Sequence, residues 1–101
     1  MSLDYLSIAK EIVLGHVDKK RYSVFLFGSR ACDNFHSRSD IDIGIIGKST
    51  LNPVTFSEIE QALSDCIIPY KIDLIDFSKV SDSFRNEALK NVVYWNRAGS
   101  H

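Results

Sequence analysis

A chain of 101 residues with 45% hydrophobic and 25% charged residues has the composition of one globular domain and not of a disordered segment. Its 12 basic and 13 acidic residues leave a net charge of −1, so the basic excess typical of stable nucleic-acid binding is missing. No apolar run approaches the ~18 residues of a membrane span and no signal-peptide pattern opens the chain, so we expect a cytoplasmic protein without membrane association.

The first half of the chain predicts one helix and two strands. Apolar residues between Leu3 and Val17 recur at the spacing of an amphipathic helix. Residues 22–27 are β-branched and aromatic and stop at Gly28, which indicates a strand buried on both faces. Residues 40–46 alternate between the two faces of a second strand.

The second half predicts helix, strand and helix. Thr55 to Glu58 has the capping-box pattern, so we expect a helix from there to about Asp65. Residues 67–77 indicate a third strand, and Ser81 or Ser83 is expected to cap a last helix that runs through Trp95. The order helix, strand, strand, helix, strand, helix predicts an α/β or α+β sheet with helices packed on it.

Two carboxylates stand two residues apart on the second predicted strand. Asp40 and Asp42 therefore point to one face, while Ile41 and Ile43 point to the core. Their mutual repulsion is relieved by a divalent cation, and Mg²⁺ favours such oxygen ligands. Alone, the pair favours a loop cap at Asp40 and a solvated Asp42 over a metal site.

A third aspartate favours the metal hypothesis. Asp73 interrupts the apolar run of the third predicted strand. If that strand lies beside the strand of Asp40 and Asp42, the three carboxylates can hold two metals ~3.5–4 Å apart, which suits an in-line displacement at phosphorus.

The first strand ends directly in Gly28-Ser29-Arg30. Glycine allows close approach of the backbone to a ligand, and amide groups after Ser29 would bind phosphate, although in isolation an ordinary turn is the better explanation of the pair. Arg30 either neutralises phosphate charge or pairs with Asp33 or Asp40. The later Gly47-Lys48-Ser49-Thr50 ends like a P-loop, but Asp42 stands where the P-loop needs a second glycine, so we interpret Lys48 as a solvated loop residue.

Together these segments read G-S-x10-D-x-D, followed by a third aspartate. The pattern resembles the DNA polymerase beta superfamily of nucleotidyltransferases, and is most similar to its minimal nucleotidyltransferase (MNT) family. The strings that carry the resemblance are Leu26-Phe27-Gly28-Ser29-Arg30-Ala31, Ser39-Asp40-Ile41-Asp42-Ile43 and Ile72-Asp73-Leu74-Ile75-Asp76.

The resemblance implies a single domain over residues 1–98, with residues 99–101 as a tail, and a mixed sheet of about three to four strands flanked by helices. It implies that Gly28, Ser29 and Arg30 bind the phosphates of ATP or another NTP. It further implies that Asp40, Asp42 and Asp73 are catalytic and hold Mg²⁺ in a two-metal site.

The implied reaction is transfer of a nucleoside monophosphate, AMP favoured, to a hydroxyl group. The MNT resemblance also implies a helical HEPN-type partner that forms a hetero-oligomer with the chain and is modified on tyrosine, with the chain acting as antitoxin. Two other hypotheses remain open at this point: a non-catalytic module that neutralises its partner by contact, and a transferase that modifies small molecules such as antibiotics.

Overall fold

The computed structural model describes residues 4–28 and 40–98 of the chain. These residues form three helices and four strands. In chain order they are α1 (Tyr5–Leu14), β1 (Tyr22–Phe27), β2 (Ile41–Gly47), α2 (Pro53–Asp65), β3 (Ile72–Asp76), α3 (Asp82–Ala88) and β4 (Val93–Asn96).

The strands form one mixed sheet in the order β3-β2-β1-β4. β1 runs antiparallel to both β2 and β4, whereas β2 and β3 are parallel. A parallel pair needs a crossover connection, and α2 supplies it. The predicted α/β class, the mixed sheet and the flanking helices are confirmed.

One face of the sheet is covered by α1 and α2. Ala9 and Val13 of α1 and Ile59 and Leu63 of α2 are buried in one apolar cluster. The strand residues of this cluster are Val24, Leu26, Ile41, Ile43 and Ile45. Full burial of a side chain of this size contributes about 1.5–3 kcal/mol, so this layer is the main apolar core.

On the other face, α3 packs against an aromatic cluster. Phe25, Phe27 and Phe77 are buried together, and Ala88 of α3 packs against them. The Phe84 ring of α3 lies edge-on to Phe27, with 6.2 Å between the ring centroids. Because Phe27 is the register partner of Asp42, this face is also the one that bears the carboxylates.

The predicted last helix is wrong beyond its second turn. α3 begins after Ser81, whose hydroxyl accepts a hydrogen bond from the Phe84 amide, as one of the two predicted caps. It ends at Ala88, and residues 93–95, which were predicted to be helical, belong to β4 (Val93–Asn96) instead. β-branched and aromatic residues favour a strand here, and the free edge of β1 provides the pairing partner.

Two other predicted boundaries are also corrected. α2 begins at Pro53, because Asn52 accepts the Val54 amide and a proline fits the first turn of a helix, so Thr55 and Glu58 do not form the cap. Its end at Asp65 is as predicted. β3 starts at Ile72 and not at residue 67.

Asp76, the last residue of β3, has a structural role on the face away from Asp73. It is buried, and its carboxylate accepts hydrogen bonds from the Leu51 amide at 3.1 Å and from the Ser78 amide at 2.9 Å. The Ser78 hydroxyl donates a third at 2.7 Å. The side chain thereby joins the segment before α2 to the end of β3.

Candidate active site

The core of the candidate site is a carboxylate pair on neighbouring strands. Asp42 of β2 and Asp73 of β3 are register partners in the parallel pair, so both side chains leave the same face of the sheet. Ile41 and Ile43 flank Asp42 and are fully buried on the opposite face. The alternation of β2 expected from the sequence is therefore present. The parallel pairing of β2 with β3 places Asp73 beside Asp42, as predicted for neighbouring strands.

The neighbouring carboxylates affect the ionisation of Asp42. Burial raises the pKa of the Asp42 carboxyl above its ordinary value, and the charges of Asp73 and Asp40 raise that pKa further. A hydrogen bond with Asp73 raises the pKa in the same direction. Asp40, exposed just before β2, is thus near enough to act on Asp42.

Lys71 is a site residue that the sequence analysis did not single out. Its ammonium Nζ lies 3.9 Å from Asp73 Oδ1, and its charge lowers the pKa of Asp42 against the four effects that raise it. The signal was available, because Lys71 stands two residues before Asp73 and side chains two apart share a face of a strand. The side chain is 70% exposed, so this cation can turn toward solvent or toward a ligand.

Gly28 ends β1 directly beside the carboxylates. Its φ of +75° lies in the left-handed region that glycine adopts without strain. A Cβ at this position would overlap Asp42 Oδ2. Glycine is therefore required both for the turn and for the close approach of the turn to Asp42. Ser29 and Arg30, the other two predicted phosphate-binding residues, lie outside the described residues.

The carboxylates of this site fit a Mg²⁺ ion whose remaining ligands come from the phosphates of a substrate. Within residues 4–28 and 40–98, no three His, Cys, Asp or Glu side chains are arranged to hold a metal ion by themselves. Mg²⁺ is usually held by one or two carboxylates together with substrate phosphates, and dedicated protein cages are unusual for it. Asp42 and Asp73 provide such a pair, with Asp40 beside it.

None of the helices in the described part of the chain is long and apolar enough to cross a membrane.

Comparison with known proteins agrees with this geometry. The family described as "Polymerase beta, Nucleotidyltransferase" matches residues 16–97. The chain is 33% identical over 71 residues to "Probable protein adenylyltransferase MntA" of Haemophilus influenzae. That match covers 70% of this chain and 61% of the relative, so the chain spans less than two thirds of the relative's length.

Solved structures share the fold. A chain of a toxin–antitoxin complex crystallised with AMP-PNP superposes with a TM-score of 0.69 at 25% identity, covering 93% of this chain and 74% of that chain. A structure of a tri-AMPylated HEPN toxin from Shewanella oneidensis with its MNT antitoxin gives a TM-score of 0.61 at 20% identity, covering 89% of this chain and 71% of the other. With the paired aspartates, the glycine turn and the sheet order on one scaffold, the chain belongs to the polymerase beta nucleotidyltransferase family.

Proposed function

We propose that this chain is a Mg²⁺-dependent nucleotidyltransferase that moves AMP from ATP to a tyrosine hydroxyl of a HEPN-type partner and so acts as an antitoxin. The observation that carries the proposal is the in-register pair of Asp42 and Asp73 beside the Gly28 turn. The Haemophilus relative is named a protein adenylyltransferase, and the Shewanella complex contains an AMPylated HEPN toxin. Both names favour a protein acceptor over a small molecule.

Together with the phosphates of the substrate, Asp40, Asp42 and Asp73 would hold two Mg²⁺ ions. When bound, Mg²⁺ supplies charge neutralisation at the phosphates and lowers the pKa of the attacking hydroxyl. In the chain itself, burial and the charges of Asp73 and Asp40 disfavour the ionised form of Asp42. A bound cation would relieve this repulsion.

The Gly28 turn would place backbone amide groups toward the phosphates, and its missing side chain leaves room for Asp42. Ser29 and Arg30 extend this proposed phosphate site. The Asp73 side chain is 41% exposed, so an acceptor hydroxyl can reach it from solvent. We assign to Asp73 the acceptance of that hydroxyl proton as oxygen attacks the α-phosphorus and pyrophosphate leaves.

The test uses the purified chain and the HEPN-type protein encoded beside it. ATP labelled at the α-phosphate is supplied with Mg²⁺, and label on the partner is measured over time. Asp42→Asn is expected to reduce transfer at least about 100-fold, because it removes charge stabilisation at the reacting phosphate. Asp65→Asn, at the end of α2, is the matched control and should transfer at the wild-type rate.

Other results would redirect the assignment. Equal labelling by wild type and Asp42→Asn would overturn the catalytic role of the pair. Label on a small molecule, with the partner unlabelled, would favour the small-molecule transferase. Neutralisation of the partner by Asp42→Asn without any label would favour a contact-only module. Peptide mapping of the labelled partner then tests tyrosine as the acceptor, and the four NTPs in parallel test the preference for ATP.

A further inference from the structure

A cavity lined in part by basic residues lies at the end of the sheet opposite to the carboxylates. It has a volume of about 640 Å³ and forms where β1 begins and β2 ends. Lys20, Arg21 and Lys48 line it together with Ser49 and Gly47. We call this cavity the basic pocket. Five residue steps along β1, from Tyr22 to Phe27, separate it from the site of Asp42 by about 17 Å.

The charge of the basic pocket is not balanced within the described residues. The ion pairs in that part of the chain join Lys71 to Asp73, Arg85 to Asp82 and Lys90 to Glu87, and none involves the three pocket cations. The acidic residue closest in sequence is Asp18, whose carboxylate accepts the Lys20 backbone amide at 2.9 Å. Three cations without an ion-pair partner among the described residues therefore line one cavity in a chain whose net charge is −1. Cations gathered at one cavity favour the binding of an anion there.

Backbone contacts bring the two cation-bearing segments together. A Cβ on Gly47 would lie 2.8 Å from the Arg21 carbonyl oxygen and 2.6 Å from the Tyr22 ring, so glycine allows the end of β2 to lie against the start of β1. The Tyr22 hydroxyl is 3.5 Å from the Ser49 hydroxyl across the same gap. Arg21 and Lys48 thus lie directly next to the paired residues Tyr22 and Gly47, at the ends of β1 and β2.

Hydrogen bonds from Asn96 of β4 and from Ala98 hold the segment on which the basic pocket is built. The Asn96 amide nitrogen donates to the Lys19 carbonyl at 3.2 Å and to the Tyr22 carbonyl at 2.9 Å. The Ala98 amide donates to the Ser23 hydroxyl at 2.8 Å. The segment that carries Lys20 and Arg21 is consequently held on both sides, which lowers the ordering cost of binding a ligand there.

We propose that the basic pocket binds a phosphate-bearing anion, at a site separate from the carboxylates and independent of nucleotide transfer. A guanidinium, two ammonium groups and a hydroxyl match the several oxygens and the multiple charge of an oligophosphate or a phosphodiester chain, whereas a single carboxylate needs one cation. The Gly47-Lys48-Ser49 segment, which does not form a P-loop, thereby contributes to a phosphate site of another architecture.

Titration calorimetry of the full chain with sodium tripolyphosphate, at low salt and without divalent metal, tests this site. Lys20→Gln with Lys48→Gln is expected to weaken binding at least about tenfold, because two charge-assisted contacts are lost. Lys10→Gln with Lys79→Gln removes the same charge from elsewhere and should bind as wild type does. Lys48→Arg, which keeps the charge, should retain binding, and Asp42→Asn should not weaken it.

Equal affinity of wild type and the pocket variant would overturn the proposal, as would an equal loss in the Lys10 and Lys79 control. A short single-stranded RNA titrated in parallel distinguishes the source of the phosphate. Tighter binding of RNA than of tripolyphosphate assigns the site to a phosphodiester chain, and the reverse assigns it to a free oligophosphate. Either result supports the pocket, and neither depends on whether the chain transfers AMP.

Discussion

At the scale of single residues, Gly28 has little freedom to change, because both its backbone conformation and its neighbour Asp42 exclude a side chain. Its φ of +75° disfavours any side chain, and a Cβ would overlap Asp42 Oδ2. Gly15 is a useful contrast, because it caps α1 at a φ of −73°, which other residues adopt readily.

We predict that Gly28→Ala destabilises the fold by about 1–2 kcal/mol, the usual cost of a left-handed conformation in a residue with a Cβ. The displaced Asp42 should also lower transfer at least about tenfold. Denaturant unfolding and the labelling assay measure the two effects. Gly15→Ala should lose less stability and leave the rate unchanged. Identical stability of the two variants would contradict the strain at Gly28.

Asp42 is also expected to set a pH dependence of stability. Its pKa is higher in the folded chain than in the unfolded chain, because of burial and the neighbouring Asp73 and Asp40. Between those two pKa values the folded state holds a proton that the unfolded state has lost. Raising the pH through this window therefore lowers the stability of the wild type.

The prediction is that Asp42→Asn melts at a higher temperature than wild type near neutral pH and that this difference shrinks below the ordinary aspartate pKa. Melting curves from acidic to neutral pH provide the measurement, without divalent metal. Asp73→Asn should show part of the same gain, because it removes one cause of the raised pKa. Should Asp42→Asn melt with the same pH profile as wild type, the repulsion at the site would be absent.

At the scale of elements, β1, β2 and β3 could be predicted because their patterns are local: apolar runs or alternation that end at turn residues. The pairing of Asp42 with Asp73 followed once those two strands were neighbours. β4 could not be predicted from local spacing, since Val92 and Val93 continue the apolar spacing of α3. Only the open edge of β1, far away in sequence, selects the strand.

Asn96 stabilises that non-local pairing. Its side-chain oxygen accepts the Val24 amide at 3.0 Å, while its nitrogen donates to two carbonyl groups. Asn96→Ala should cost about 1–3 kcal/mol, because a part-buried Val24 amide loses its partner. Faster hydrogen exchange at the Val24 amide is the specific sign.

Asn91→Ala serves as the control for Asn96→Ala, since Asn91 is exposed and lies outside the strand. Comparable unfolding free energies for the two variants would show that β4 does not depend on this contact.

At the scale of the whole molecule, the two faces of the sheet bear different kinds of residue. Within residues 4–28 and 40–98, α1 and α2 cover one face with the apolar core, and the other face bears Asp42 and Asp73 with α3 packed against part of it. The proposed reaction site therefore lies on the face away from the main apolar core.

We predict that the chain and the proposed HEPN-type partner elute together as a hetero-oligomer in size-exclusion chromatography with light scattering. Asp42→Asn should form the same complex, because the carboxylate acts on the reacting phosphate and complex formation needs contact surfaces only. Separate elution of the two wild-type proteins at micromolar concentration would exclude a stable assembly.

The alternation of β2 has a consequence for folding fidelity. Moving β2 by one residue against its neighbours would turn Asp42 into the layer under α1 and α2 and turn Ile41 and Ile43 out to water. Such a misaligned chain would bury a charge among apolar groups, which is a heavy penalty. The residues proposed for chemistry thus also exclude the incorrect strand alignment, and a charge-removing substitution at Asp42 would weaken that discrimination.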